Sequence, residues 1–263
     1  MRTLPGGRGQ GQSPDLVEQP SAEGRKKEGV TVDEMVLRID GREVRAPAGA
    51  TILEAAQQNG IDIPTLCHLD GLCEAGVCRV CLVEVKGEVV PACVKSAQAG
   101  MEVETKTERV KALRRTVVEL LFAERNHICA VCVSNGHCEL QDLACEVGMQ
   151  SVRVPYAYPR LALDATHPRF LVDHNRCVLC GRCLRVCAQV EGARTWGIGQ
   201  RGVEARMITD LAVDWGKAES CTACGKCVHV CPTGAIVHKG KAGSEMVKEP
   251  ELVSELVERR GRG

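Results

Sequence analysis

The chain has 263 residues, 34 basic side chains balanced by 34 acidic ones, seventeen cysteines, and two each of Phe, Trp and Tyr. Balanced charge gives no electrostatic argument for nucleic acid or an anionic membrane surface, and no apolar run approaches the roughly 18 residues of a membrane helix. So few rings cannot fill much of an interior, which leaves metal ligation as a substitute staple.

Residues 1–32 are Gly-rich and charged without periodicity, and they read as a disordered tail. The first 30 hold no apolar core of a secretory signal, so a cytoplasmic chain is expected, where a disulfide framework is not. From Met35 the pattern alternates. Leu37 and Ile39, a turn at Asp40-Gly41, then Val44 and Ala46 predict a hairpin. Thr51 caps a short helix through Ile52, Leu53, Ala55 and Ala56, closed by Gly60. A strand over 80–85 turns at Lys86-Gly87 and returns through Val89 and Val90. That order predicts a small mixed sheet with one crossing helix, over residues 33–110.

Cys67, Cys78, Cys81 and Cys93 decorate this unit with gaps of ten, two and eleven residues, and Cys73 is left over. Four thiolates suit a [2Fe-2S] cluster or a zinc ion. The plant-type ferredoxin gap of four is absent.

Thr105-x-x-Glu108 reads as a capping box, with Val110, Leu113, Val117, Leu120 and Leu121 on the buried face of the helix that follows. It leads into residues 111–150, which carry Asn126-His127-Ile128-Cys129, Cys132 and Cys138. Three cysteines are one ligand short of a [4Fe-4S] cube. His127, Cys145 and His137 are the candidates for the fourth. A neutral imidazole ligates through one nitrogen if the other finds a hydrogen-bond partner, and Cys145 is soft and without another task. Cys145 also suits a small buried residue beside Leu140 and Leu143, and His137 a surface histidine.

Residues 151–168, rich in Pro with Tyr156 and Tyr158, read as a connector. Phe170–Asp173 reads as a strand opening a region over 169–242. There the motif C-x2-C-x2-C-x3-C occurs twice, as Cys177, Cys180, Cys183, Cys187 and as Cys221, Cys224, Cys227, Cys231. In the two-cluster ferredoxin run, three close thiolates hold one cube and the fourth crosses to the other. The sets are therefore Cys177, Cys180, Cys183, Cys231 and Cys187, Cys221, Cys224, Cys227. Pro232 follows Cys231 as the motif wants; Ala188 follows Cys187. Residues 196–214 form a long insertion holding Gly197, Gly199 and Gly202, a G-x-G-x-x-G without the strand-to-helix setting a dinucleotide needs. A turn and strand after Cys231 close this region. Residues 243–263 read as a charged tail with a helix over 250–259.

The stretch from Cys67-His68 through Gly76-Val77-Cys78-Arg79-Val80-Cys81 to Pro91-Ala92-Cys93 resembles the N-terminal [2Fe-2S] domain shared by the large subunit of complex I, iron-only hydrogenases and hydrogenase diaphorases. The family group completes its next cube with histidine as H-x3-C-x2-C-x5-C. Here the spacing is H-x-C, the shortened form of soluble NAD-linked hydrogenase diaphorases. With Asp173-His174-Asn175-Arg176-Cys177 and Cys221-Thr222-Ala223-Cys224-Gly225-Lys226-Cys227, residues 35–240 resemble the HoxU-type diaphorase subunit of bidirectional NAD(P)-linked nickel–iron hydrogenases.

The resemblance implies an α+β fold: a β-grasp [2Fe-2S] domain, a small helical His/Cys [4Fe-4S] domain and a two-[4Fe-4S] ferredoxin-like domain. It implies one [2Fe-2S] and three [4Fe-4S] clusters, His127 completing the set of Cys129, Cys132 and Cys138. The partners implied are an FMN/NAD(H)-binding diaphorase subunit and a [NiFe] hydrogenase small subunit, in a hetero-oligomer. Electrons would cross this chain, which carries no acid, base or nucleophile for substrate. Alternatives are the same module in an NAD-linked formate dehydrogenase or complex I relative and, remotely, a zinc-binding interaction protein.

Overall fold

The computed structural model describes residues 34–241 and 243–261. The tail read over residues 1–32 lies outside them. Strand β1 (Glu34–Ile39) pairs antiparallel with β2 (Arg42–Pro47) across Asp40 and Gly41, both at positive φ, as a two-residue turn of the right twist requires. Helix α1 (Ile52–Gln58) starts at Thr51 with a reciprocal capping box to Glu54, and Gly60 follows at φ +67°. Strands β3 (Leu82–Val85) and β4 (Glu88–Pro91) form the second hairpin. A further strand, β5 (Glu102–Glu104), is not among the sequence expectations; it joins the hairpins in the order β2-β1-β5-β3-β4, parallel to β1. Leu37, Ile39, Val44, Ile52, Leu53, Val83 and Val103 fill the space between sheet and helix, a β-grasp arrangement.

Helix α2 (Glu108–Ala123) departs from expectation at its start and along its face. Its cap is Thr107, whose hydroxyl accepts from the Val110 N–H. Thr105 instead turns inward, donating from its N–H and its hydroxyl to Asp40 at 2.7 and 2.6 Å. The buried stripe is Val110, Arg114, Val118 and Phe122, while Leu113 and Leu120 face solvent. Both stripes obey helical spacing; the buried one is hard to read because it contains a charge. Arg114 is accommodated by donating twice to the Leu82 carbonyl, and buried Glu119 pairs with Arg153 at 2.9 Å.

Helix α3 (Glu139–Glu146) buries Leu140 and Leu143. The connector then contributes a short strand, β6 (Leu163–Asp164), to a sheet ordered β10-β7-β6, with β7 spanning Phe170–Asp173 and β10 spanning Ile236–His238. Two four-residue helices, α4 (Arg182–Arg185) and α5 (Lys226–His229), repeat the same local design: each follows a glycine at positive φ, Gly181 or Gly225. Helix α4 runs on through a π turn to Glu191. The insertion is a hairpin, β8 (Trp196–Gly199) with β9 (Arg206–Thr209). Gly197 and Gly199 lie under Ile208 within it, so these glycines serve strand packing. The segment read as a charged tail contains α6 (Glu251–Gly261), whose Val253 enters the core formed by Phe170, Val172, Val186, Trp196, Trp215 and Val228.

Candidate metal centres

Three of the C-x2-C pairs, Cys78/Cys81, Cys177/Cys180 and Cys221/Cys224, each hold a non-glycine residue in the left-handed region: Arg79 (φ 58°), Leu179 (φ 52°) and Ala223 (φ 55°). A non-glycine residue there costs on the order of 1 kcal/mol; Leu179 and Ala223 hold the same place in the two repeated motifs, while Arg79 sits one position earlier in its pair. In the Cys78 and Cys177 pairs the amide two residues beyond the first cysteine approaches its sulfur. Val80 N–H reaches Cys78 Sγ at 3.5 Å, and the Leu179 amide reaches the Cys177 thiol.

Cys67, Cys78, Cys81 and Cys93 converge, although the outer two lie far apart in sequence. Cys67 contacts Cys78 and Cys93, and Cys81 contacts Cys93. These contacts hold the Cys67 thiol far below its ordinary range and bring Cys81 down to about 7, Cys93 being the main cause for the latter. The donors, Cys78 and Cys93, are pushed up.

His127, Cys129, Cys132 and Cys138 line one hollow together with Ser134, Arg176, Thr233 and Gly234. His127 Nε2 is buried there without a hydrogen-bond partner, while the ring bonds the Leu121 backbone. Burial first, then the charges of Arg176 and Arg125, hold this imidazole down to about 4, so it is neutral at pH 7. Gly234 completes the cradle: a Cβ there would lie 2.6 Å from Cys132 Sγ and 3.2 Å from Ser134 Oγ. Three soft thiols and a neutral, unpartnered imidazole nitrogen fit an iron–sulfur cube and do not fit an oxygen-seeking ion. Cys145 is exposed on α3 and absent from this hollow, so it is neither a lining residue nor a small buried one; His137 is exposed.

Cys177, Cys180 and Cys183 are buried and feel one another and Cys231 electrostatically. Burial is the main cause that raises the Cys177 and Cys180 thiols to about 11 and 12. Cys187, Cys221, Cys224 and Cys227 line a second enclosed hollow with Trp196 and Trp215. Here Thr195 N–H and Trp215 Nε1–H approach Cys187 and Cys221 sulfurs, each at 3.3 Å. Among the described residues no three His, Cys, Asp or Glu side chains close on a point as ligands of one ion do. A cube instead places each ligand on its own iron.

Sequence reasoning missed the arginines that join these groups. Arg125, 1% exposed, donates to the carbonyls of Cys177, Val203 and Ala205 at 3.1, 2.6 and 2.8 Å. Arg182 donates to Glu139 and to the His68 carbonyl, and Arg185 to the carbonyls of Cys67, Cys73 and Cys180. Nothing in their sequence setting marks them, because arginine reads as exposed by default. His68, beside Cys67, has both ring nitrogens engaged, by Glu74 at 2.8 Å and Asp70 at 2.9 Å.

These features define a ferredoxin-type electron carrier built from several cysteine-rich modules. Family models agree: a 2Fe-2S iron–sulfur cluster binding domain matches residues 33–108, an NADH-ubiquinone oxidoreductase-G iron–sulfur binding region matches 114–153, and a 4Fe-4S dicluster domain matches 173–235. The gamma subunit of the NAD-reducing hydrogenase HoxS of Cupriavidus necator is 34% identical over 77% of this chain and 86% of its own length. The chain belongs to that family of iron–sulfur electron-transfer subunits. A solved NAD+-reducing [NiFe]-hydrogenase contains a chain with a TM-score of 0.75 and 36% identity, covering 79% of this chain and 88% of that one. The NADP-reducing hydrogenase subunit HndD of Solidesulfovibrio fructosivorans (38% identical over 77% of this chain) is also similar, but this chain spans only 36% of its length.

Proposed function

We propose that this chain carries electrons one at a time through one [2Fe-2S] and three [4Fe-4S] clusters, between a hydrogenase module and an FMN- and NAD(P)(H)-binding subunit of a cytoplasmic hetero-oligomer, with no substrate-converting site of its own. The proposed ligands are Cys67, Cys78, Cys81 and Cys93 for [2Fe-2S]; His127, Cys129, Cys132 and Cys138 for one cube; Cys177, Cys180, Cys183 and Cys231 for the next; and Cys187, Cys221, Cys224 and Cys227 for the last. The observation that carries this reading is the buried His127 Nε2, neutral and unpartnered, facing three cysteines across a hollow that Gly234 keeps open.

When bound, such clusters supply one-electron carriers whose potentials follow burial, net charge and hydrogen bonds to sulfur. The protein's part is to hold each ligand, exclude water and aim N–H donors at sulfur, as Thr195 and Trp215 do. The Cys231–Gly234 turn supports this arrangement at two centres: Cys231 serves one set, Gly234 walls the His127 hollow, and Glu139 N–H, donating to the Pro232 carbonyl, fastens it to α3.

Anaerobic analysis of the co-purified complex should find at least about 14 irons per copy of this chain, with acid-labile sulfide to match its clusters, since any iron in the partners adds to that total. Nickel alongside supports the hydrogenase assignment. Molybdenum or tungsten would favour the second reading, suggested by similarity to a putative formate dehydrogenase of Bacillus subtilis (34% identical). Cys145→Ser should leave every cluster signal intact and His127→Ala should remove one cube; the reverse result would make Cys145 the ligand.

A further inference from the structure

Arg185 lies at the end of α4 and is 5% exposed. Its donors all go to main-chain carbonyls: Nη2 to Cys67 and, at 3.3 Å, to Cys180; Nη1 to Cys73 at 2.7 Å; Nε to Gly181 at 3.4 Å. One nitrogen thus touches the backbone of a proposed [2Fe-2S] ligand and of a proposed cube ligand. Residues Cys67 and Cys180 are far apart in sequence and belong to different modules.

Burying a guanidinium is costly unless an opposite charge compensates it. The neighbouring cations have such compensation: Arg182 pairs with Glu139 at 2.7 Å, and Lys226, at the matching place in the other half of the repeat, pairs with Glu191. The hydrogen bonds of Arg185 include no carboxylate. Counted from the left-handed glycine of each half, Gly181 or Gly225, the position that repeats Arg185 is His229, so the arginine is confined to the half that meets the Cys67 loop.

We propose that Arg185 is a positioning residue that sets the potentials of the [2Fe-2S] cluster and of the Cys177–Cys180–Cys183–Cys231 cube together. Resting on the proposed ligand assignment, its charge finds its counter-ion in the clusters themselves. A cluster with its thiolates is anionic and becomes more so by one charge on reduction. The nearby cation favours that reduced form on both sides, and its fork keeps the two ligand loops in register.

EPR-monitored redox titration of the whole complex tests this. Cys67→Ser and Cys180→Ser first assign the two signals; a wild-type complex without a [2Fe-2S] signal would sink the ligand assignment itself. Arg185→Met should then lower both potentials, decreasing the ratio of reduced to oxidised cluster about tenfold at a fixed potential, equivalent to about 59 mV for one electron. The other two cubes should not move. Arg185→Lys, which keeps the charge, should restore most of the shift. Loaded clusters with unmoved potentials in the Met variant, or a Lys variant shifted as far as Met, would overturn the proposal. Should the Met variant not load, Arg185→Gln carries the same test; failure of both to hold [2Fe-2S] would reduce Arg185 to a strut and overturn the tuning role.

Discussion

At the scale of single residues, the buried arginines decide how the modules meet. Arg125 satisfies three carbonyls, one on the proposed ligand Cys177 and two on the segment between β8 and β9. A buried acceptor left unpaired costs about 1–3 kcal/mol, so Arg125→Met should destabilise the protein by on the order of 3 kcal/mol even though the methylene stem is kept. Chemical denaturation of the loaded protein, followed by far-UV circular dichroism, measures it. A loss within about 0.5 kcal/mol, the range of ordinary surface substitutions, would show that water replaces these bonds. The cysteines and His127 are legible in sequence because ligand chemistry forces residue types into fixed spacings. Arg125, Arg182 and Arg185 are not, because a guanidinium recognises carbonyls that only the tertiary fold brings within reach.

At the scale of elements, the first hairpin and α1 can be read from local rules, since Asp40-Gly41 and the Thr51–Glu54 capping box are decided within a few residues. Strand β5 cannot, because three residues carry too little pattern and its partners lie in two distant hairpins. The cap of α2 is misread for a related reason: Thr105 satisfies the local signature but is claimed by Asp40, 65 positions away. The turn after Cys231 offers a sharp test of element geometry. In Gly234→Ala the new methyl would collide with Cys132 Sγ and crowd Ser134, so the proposed His127 cube should be lost or weakened while the two cubes of the repeat persist. Low-temperature EPR of the reduced variant distinguishes them; three undiminished cube signals would show that the hollow opens at little cost.

The short strand β6 provides a pH-dependent tie. Asp164 accepts from the Thr166 N–H and hydroxyl and from Trp215 N–H at 2.8, 2.6 and 2.7 Å. Burial opposes its charge, but these bonds prevail and hold the carboxyl below its ordinary value. A depressed carboxyl stabilises the fold above its unfolded pKa and loses that contribution as pH falls through the folded value. The Trp215 turn, which also donates to Cys221, should therefore loosen below about pH 4. Asp164→Asn should flatten this acid limb in near-UV circular dichroism; an unchanged limb would assign the loosening elsewhere.

At the scale of the molecule, two kinds of core coexist. The β-grasp core is mainly aliphatic, with Leu37, Ile39, Ile52, Leu53, Val83 and Val103 packed between a five-stranded sheet and α1. The core around the repeated motif counts Cys177, Cys183, Cys187, Cys227 and Cys231 among its buried residues and is framed by α5, of only four residues, and by α4, whose four residues pass into a π turn. Helices that short do not persist without outside anchoring, and in the proposed assignment the anchors are the clusters, so metal binding and folding are one equilibrium there. Removing iron should leave the two regions unequal. Hydrogen exchange of the cluster-free chain should become fast across residues 173–235 while β1, β2 and α1 stay protected within about tenfold of the loaded protein. Uniform loss of protection would mean that the β-grasp also needs its cluster to fold; uniform retention would mean that the short helices are held by Phe170, Trp196, Trp215 and the rest of the apolar core alone.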